Sequence, residues 1–342
     1  MSAIEDPLVP SSITQDYTKR LMVFGGRASG ELAAKIAGNL NVDLGQVYLN
    51  TFSNGEVYCR YEESIRGADV FIVQSTAANP QTGLTPNDAL MELLTMIDAA
   101  QGASAHRIIA VMPWYGYARQ DKKSSPREPI TARVVAKILE EIGVDRVLTM
   151  DLHAGQVQGF FHVPVDHMTA MPQLTQWFQD QGLTDDLVIV SPDAGRVKMA
   201  RNFARKVGVH WAVMEKERPS QQVAEIGYVV GDVQGKTAVL VDDMIDTAGT
   251  LCAAAKTVLD EGAARVIACA THGVFSGPAY ERLPYENSGI ERIVVTDTIP
   301  LRVGAPDNIT VLSTAQTLAD SIRRIFTDDS VSEIFAGENQ LF

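Results

Sequence analysis

From residue 20 onward, short apolar runs rich in Val, Ile and Leu alternate with segments whose apolar positions recur every three to four residues. The run "RLMVFGG" (20–26) reads as a strand and "SGELAAKIAGNL" (29–40) as the helix after it. The same rhythm continues through "VYLNTF", "ADVFIVQS", the helix "NDALMELLTMIDAAQ", "RIIAVMPW", the helix "ITARVVAKILEEIG" and "RVLTMDLH". These apolar runs are continuous rather than alternating, which predicts strands buried on both faces, as in a parallel sheet covered by helices.

Near residue 170 the rhythm starts again. "LVIVSPD" leads into the helix "GRVKMARNFARKVG", then "HWAVMEK", "TAVLVDD", the helix "GTLCAAAKTVLDEGA", "RVIACATHG" and "RIVVTDTIP". Two units of similar length suggest an internal duplication, although no residue-level repeat is visible. The pattern divides the chain into a leader (1–18) expected to be poorly ordered, an N-terminal unit (19–169) and a C-terminal unit (170–311). A final helix and tail (312–342) contain "TAQTLADSIRRIF", able to pack on either half, with the N-terminal half the expected partner.

The length of 342 residues suits two domains of about 150 residues each. A net charge of −13 argues against a general nucleic-acid binder, whose contacts need surplus Lys and Arg. Any polyanionic ligand must then be held by a local basic cluster. Cys59, Cys252 and Cys269 are scattered with no metal spacing, and read as buried, reduced thiols of a cytoplasmic protein. No apolar run approaches the roughly 20 residues of a membrane helix, and the acidic leader lacks signal-peptide character.

Against this background "AVLVDDMIDTAGTL" (238–251) is an anomaly. An apolar strand ends in Asp242, Asp243 and Asp246 and runs into small residues ahead of a helix. Adjacent anions repel, so something must compensate them. In open α/β sheets ligands sit beyond the carboxyl ends of strands. Ionised carboxylates suit a sugar diol, while the loop Asp246, Thr247, Ala248, Gly249, Thr250 offers backbone N–H groups and a helix N-terminus to a phosphate. Together these describe a ribose 5-phosphate. A simple N-cap by Asp246 or Thr247 would account for one acid and leave the Asp-Asp pair unexplained.

Here "VLVDDMIDTAGT" resembles the ribose-phosphate motif shared by phosphoribosyltransferases and phosphoribosyl pyrophosphate synthetases. Four further stretches resemble the synthetases: "FSNGEV" (52–57), "PWYGYARQDKK" (113–123), "MDLHAGQVQGFF" (150–161) with "SPDAG", and "MEKERP" (214–219). Read without the family, the first is a strand-to-turn signal in which Asn54-Gly55 favours a tight turn, and the others are charged loops at strand ends. The resemblance spans about 20–335, with the motifs in the family's order. Asn54 stands where many members carry Asp, and Glu217 where many carry a basic residue.

The resemblance implies two tandem phosphoribosyltransferase-like (Rossmann-like) α/β domains with mainly parallel central sheets. It implies transfer of the diphosphoryl group of ATP to the C1 hydroxyl of ribose 5-phosphate, giving 5-phosphoribosyl 1-diphosphate and AMP for purine, pyrimidine, NAD, histidine and tryptophan synthesis. It places Phe52, Asn54, Gly55, Glu56, Arg119, Gln120 and Asp121 on ATP. It places Asp242, Asp243, Asp246 to Thr250 and Arg218 on ribose 5-phosphate, with Lys216 and Arg218 as catalytic cations on a mobile loop. His153 and Asp193 become ligands or linked groups for Mg²⁺; His106, His162, His167, His210 and His272 read as structural. A homo-oligomer, a hexamer with nucleotide sites built partly by a neighbour, and phosphate and ADP as effectors are implied as well. The alternatives are a phosphoribosyltransferase, which leaves the FSNGE, ARQD and DLH stretches idle, and a non-catalytic regulatory homologue, which should lose the Lys216/Arg218 pair or carry insertions in its loop.

Overall fold

The structure, a computed structural model, describes residues 19–183, 186–217 and 226–335. The leader 1–18 and Arg218 lie outside this set. The strands are β1 (Leu21–Gly25), β2 (Val47–Thr51), β3 (Val57–Tyr61), β4 (Asp69–Val73), β5 (Arg107–Met112), β6 (Arg146–Met150), β7 (Val165–Met168), β8 (Leu187–Ser191), β9 (His210–Glu217), β10 (Ile226–Val230), β11 (Thr237–Ile245), β12 (Arg265–Gly273), β13 (Ile290–Thr296) and β14 (Ile309–Leu312). Nine α-helices accompany them among the described residues: α1 (Gly30–Leu40), α2 (Pro86–Gly102), α3 (Thr131–Glu141), α4 (Met171–Asp180), α5 (Val197–Val207), α6 (Gly249–Asp260), the single turns α7 (Ala279–Arg282) and α8 (Tyr285–Ser288), and α9 (Ala315–Thr327).

The expected two α/β units are present. The first sheet has the order β1-β4-β5-β6-β7 and is parallel throughout. The second runs β10-β9-β8-β11-β12-β13-β14 and is parallel except where β10 lies antiparallel to β9. Every residue of β4 and β8 is buried, as their unbroken apolar runs require. Separately, β2 and β3 form an antiparallel hairpin whose Tyr61 hydroxyl donates to the Met96 carbonyl of α2 at 2.9 Å.

The two sheets share one core. Leu32, Phe71 and Leu148 belong to the same buried cluster as Met171, Phe178, Phe203 and Val239. Helix α9 closes it, contributing Leu318, Ile322 and Ile325 and lying against α1. Arg107 ties α9's end by donating to Asp328 at 3.0 Å, and Arg323 donates to the Asn39 carbonyl at 3.1 Å. The C-terminal helix thus seals the N-terminal half.

One strand differs from expectation in a way that matters. β11 does not stop before its acids but runs through them to Ile245. On one side β12 is equally long and pairs as far as Ile245 with Gly273. On the other side pairing with β8 ends at Leu240 with Val190. Asp242 and Asp243 therefore sit on a rigid strand with one flank open, which makes the crevice.

Candidate functional site

That crevice is a pocket of about 240 Å³ lined by His153, Asp193, Arg196 and residues 242–251, with Arg119 at its edge. Arg196, ahead of α5, reaches both acids: its Nε lies 3.1 Å from Asp242 Oδ1 and its Nη2 2.7 Å from Asp243 Oδ1. His153, from the loop after β6 in the other half, brings Nδ1 to 2.8 Å from Asp243 Oδ2. Arg196 also approaches His153, with Nη2 2.7 Å from Nδ1 and Nη1 donating to the His153 carbonyl at 3.4 Å. The tautomer with its proton on Nδ1 gives Asp243 a second donor.

The two acids are therefore unequal. Burial would raise both carboxyls. On Asp243 the bond from His153 and the charge of Arg196 outweigh burial, and its carboxyl is held down at about 2. On Asp242 burial prevails, reinforced by Asp243 next door, and its carboxyl is raised well above the usual range despite Arg196. Exposure follows the same split, with side-chain values of 30% for Asp242 and 2% for Asp243. Asp242 Oδ1 also accepts from the Asp243 backbone N–H at 2.8 Å. Of the four carboxylate oxygens, Asp242 Oδ2 is the one to which no described residue donates.

The next residues form a loop into α6 whose backbone amides could cradle an anion, with a correction to the capping idea. Neither Asp246 nor Thr247 caps α6. The cap position is Ala248, in left-handed backbone with φ 60°, and among the described residues no side-chain cap bond is made. The first-turn amides stay available to a ligand at the start of a 12-residue helix. Arg282 braces the loop from outside, donating to the Thr247 carbonyl at 2.9 Å, and a Cβ on Gly249 would come 3.0 Å from the same nitrogen. Asp246 is turned away from the cradle: Ser276 donates to its Oδ1 and Arg119 Nη1 reaches its Oδ2 at 2.5 Å.

Arg119 thus lines both the crevice and the larger cleft, a volume of about 820 Å³ between the halves. Trp114, Tyr117, Phe275 and Tyr280 wall that cleft, and Arg119 and Gln120 line it. Gln120 accepts from the Thr131 hydroxyl at 2.6 Å. Asp121 is buried and receives a bond from Gln156, so its carboxylate braces the loop instead of facing the cleft.

Among the described residues, no group of three or more His, Cys, Asp or Glu side chains stands together as a metal cage. The pocket offers the His153 imidazole and the carboxylates of Asp193, Asp242, Asp243 and Asp246. Asp193 Oδ1 accepts from the Arg196 backbone N–H at 3.1 Å, capping the turn Ala194–Arg196. His153 is oriented through Nδ1 by a buried carboxylate, the arrangement typical of an imidazole whose Nε2 ligates a cation. A few protein donors beside an anion cradle match a hard cation that takes most of its shell from water and phosphate.

The hairpin stands elsewhere. Phe52, Asn54, Gly55 and Glu56 form the exposed β2–β3 turn, closed by Gly55 N–H to the Phe52 carbonyl at 2.8 Å with Gly55 at φ 93°. Neither cleft is lined by them. Lys216 sits in β9, whose backbone register is set against Gly227 of β10; its side chain, like the whole of Arg218, lies outside the described part. Arg196, Ser276 and Arg282 escaped the sequence reading. Arg196 falls inside the amphipathic pattern of "GRVKMARNFARKVG", where a helix-start arginine is unremarkable. A basic residue three positions after a strand-end acid was the available signal.

Comparison with known proteins gives the chain a family. A family model described as the N-terminal domain of ribose phosphate pyrophosphokinase matches residues 21–143, and one described as the phosphoribosyl synthetase-associated domain matches 227–336. The chain is 51% identical to a ribose-phosphate pyrophosphokinase of Caldanaerobacter subterraneus over 93% of its length and 99% of the relative's. It is 49% identical to one from Clostridium perfringens, covering 94% and 99%. The crystal structure of a phosphoribosylpyrophosphate synthetase from Mycobacterium smegmatis superposes with a TM-score of 0.83 at 45% identity, over 90% of this chain and 99% of that one.

Proposed function

The chain belongs to the ribose-phosphate pyrophosphokinase family, which joins ATP to ribose 5-phosphate, and we propose that the crevice beside β11 is where its sugar substrate lies. The reaction moves the diphosphoryl group of ATP to the C1 hydroxyl of the sugar and releases AMP. A phosphoribosyltransferase is set aside because the family match extends through 21–143, the half that a sugar motif alone leaves idle.

The observation that carries the site assignment is the Arg196–Asp242–Asp243–His153 network, which leaves one carboxylate oxygen without a donor among the described residues, beside a helix N-terminus with no side-chain cap. Asp242 accepts the sugar hydroxyls, and residues 246–250 take the 5-phosphate on backbone amides. Asp243, buried and doubly bonded, positions its neighbours. The nucleotide follows Arg119 and Gln120, so that its β-phosphorus faces the sugar C1 hydroxyl. Holding two substrates in line removes much of a bimolecular barrier. Lys216 and Arg218 then supply charge around the transferred group, the main protein contribution in phosphoryl transfer.

Mg²⁺ fits this donor set, and His153 and Asp193 would hold it. When bound, it neutralises phosphate charge and fixes the phosphate chain. The adenine is assigned to Phe52, Asn54, Gly55 and Glu56 of a neighbouring copy, because the hairpin turn is exposed and lines neither cleft of its own chain. This requires a homo-oligomer, for which a hexamer is the family expectation, with phosphate and ADP as its effectors. No described helix is long and apolar enough to cross a membrane, and we assign the protein to the cytoplasm.

Incubation with ATP and ribose 5-phosphate should release AMP in a Mg²⁺-dependent way, with rates that respond to phosphate and ADP. Ribose 5-phosphate should also bind without ATP, and calorimetry that finds no binding to the folded protein would remove the assigned crevice.

A further inference from the structure

The geometry points to Arg196 as a positioning residue for the sugar, the internal cation that makes two neighbouring aspartates one ligand-facing group. This rests on ribose 5-phosphate occupying the crevice. One guanidinium meets three partners: Asp242 through Nε, Asp243 through Nη2 and the His153 carbonyl through Nη1. Its side chain is 12% exposed, so these contacts are made largely out of solvent. A planar fork of donors holds two carboxylates at a fixed separation; an ammonium can bridge them but, with rotatable donors on a flexible stem, does not fix their geometry.

The consequence is selective. Arg196 and the Asp243 backbone N–H both point at Asp242 Oδ1, and Arg196 with His153 takes both oxygens of Asp243. Asp242 Oδ2, to which no described residue donates, is left as the acceptor for a sugar hydroxyl. Without the arginine the two acids would repel, Asp242 could rotate, and the cost of ordering it would fall on substrate binding. Arg196 also joins β11 of one half to the loop after β6 of the other, so the sugar's acid and the His153 imidazole keep a common frame. It contacts the sugar's ligand and not the sugar, so its effect should appear in sugar affinity.

The test is calorimetric titration of ribose 5-phosphate into the full chain without ATP, together with steady-state kinetics for both substrates. Arg196→Met should weaken sugar binding about tenfold and raise KM for ribose 5-phosphate in parallel, while KM for ATP moves by less than about twofold. Arg196→Lys keeps the charge but loses the fork, and should fall between. In Arg196→Gly, added millimolar guanidinium should recover part of the lost affinity. Sugar affinity within about twofold of wild type in a folded Arg196→Met protein overturns the inference. So does a fall in kcat at unchanged sugar affinity, which would put Arg196 on the transferred phosphates. Should the Met variant not fold, the Lys variant decides: weakened sugar binding supports the role, and wild-type binding overturns it. Wild-type protein that fails to bind the sugar defeats the crevice assignment itself, an outcome distinct from wild type binding and the variants matching it.

Discussion

The turn at 242–250 and the hairpin tip at 52–56 are both short polar segments bordering strands, yet their surroundings are opposite. Asp243 is 1% exposed and both its oxygens are taken by groups from different parts of the chain. Phe52 is 48% exposed, and its described partners are local: the turn's own backbone and Tyr58, with ring centroids 5.7 Å apart. The first region is organised before any ligand arrives, so ordering it is part of folding and not of binding. The second has the chemistry of a base-binding surface, an aromatic ring and acceptors, without a second wall. A site that folding completes and one that we propose a neighbouring copy completes should fail differently when altered.

The largest effect is expected at the completed site. Asp242→Asn keeps the shape but removes the charge from the oxygen left open to the sugar, so kcat/KM for ribose 5-phosphate should fall about a hundredfold, the value of a hydrogen bond to a charged group. Rates of AMP formation check it, and a loss under about threefold would mean that the sugar hydroxyls bind elsewhere.

At the hairpin the expected loss is smaller and of another kind. The double change Phe52→Ala with Glu56→Ala should raise KM for ATP about tenfold, while thermal unfolding stays near wild type because both side chains are exposed. Mixing is the sharper measurement. Chains carrying Asp242→Asn, unfolded and refolded together with the hairpin variant, should regain activity that neither has alone, because some sites then combine an intact crevice with an intact hairpin. Mixed assemblies without any recovery would place both halves of the site in one chain and erase the contrast.

Much of this contrast was legible in the residues. The helices Gly30–Leu40, Thr131–Glu141, Gly249–Asp260 and Ala315–Thr327 follow their apolar spacing, and the Asn54-Gly55 turn appears where the dipeptide puts it. Less legible were strands whose character depends on their neighbours. β7 is "VDHM", half polar, and is a strand because it pairs with the buried β6. Asp242 and Asp243 were visible as an acid pair, but not their inequality, which comes from Arg196, 46 residues earlier, and His153, 90 residues earlier. Arg119 was read as a nucleotide contact, and its bond to Asp246 across 127 positions has no local signal. Local pattern reports propensity; the coupling of distant charges is fixed by topology.

The smallest expected effect lies beneath the crevice, where the hairpin has no counterpart. Asp151 is 1% exposed at the junction of the two halves, and its Oδ2 accepts from the Ala170 N–H at 2.8 Å and the Thr271 hydroxyl at 2.5 Å. Burial lifts its carboxyl to about 6, against a usual value near 3.9 when unfolded. Between those values the folded state holds more protons than the unfolded one, so this group's favourable contribution is complete below about pH 4 and is lost as pH rises through about 6. His167 and His272 oppose it. Burial lowers both to about 4, so their term is complete above the unfolded value near 6.5 and is lost as pH falls through about 4. Asp151→Asn keeps an acceptor for Ala170 and Thr271 and removes the buried charge. The variant should be more stable than wild type at pH 7 by about 1 kcal/mol, less than the full linkage because two charge-assisted bonds become neutral ones. The advantage should disappear near pH 4, where the wild-type carboxyl is protonated, leaving the histidine slope common to both proteins. Melting curves from pH 4 to 7 measure the gap, and a constant difference across that range would show that Asp151 does not titrate and that the junction is held by shape alone.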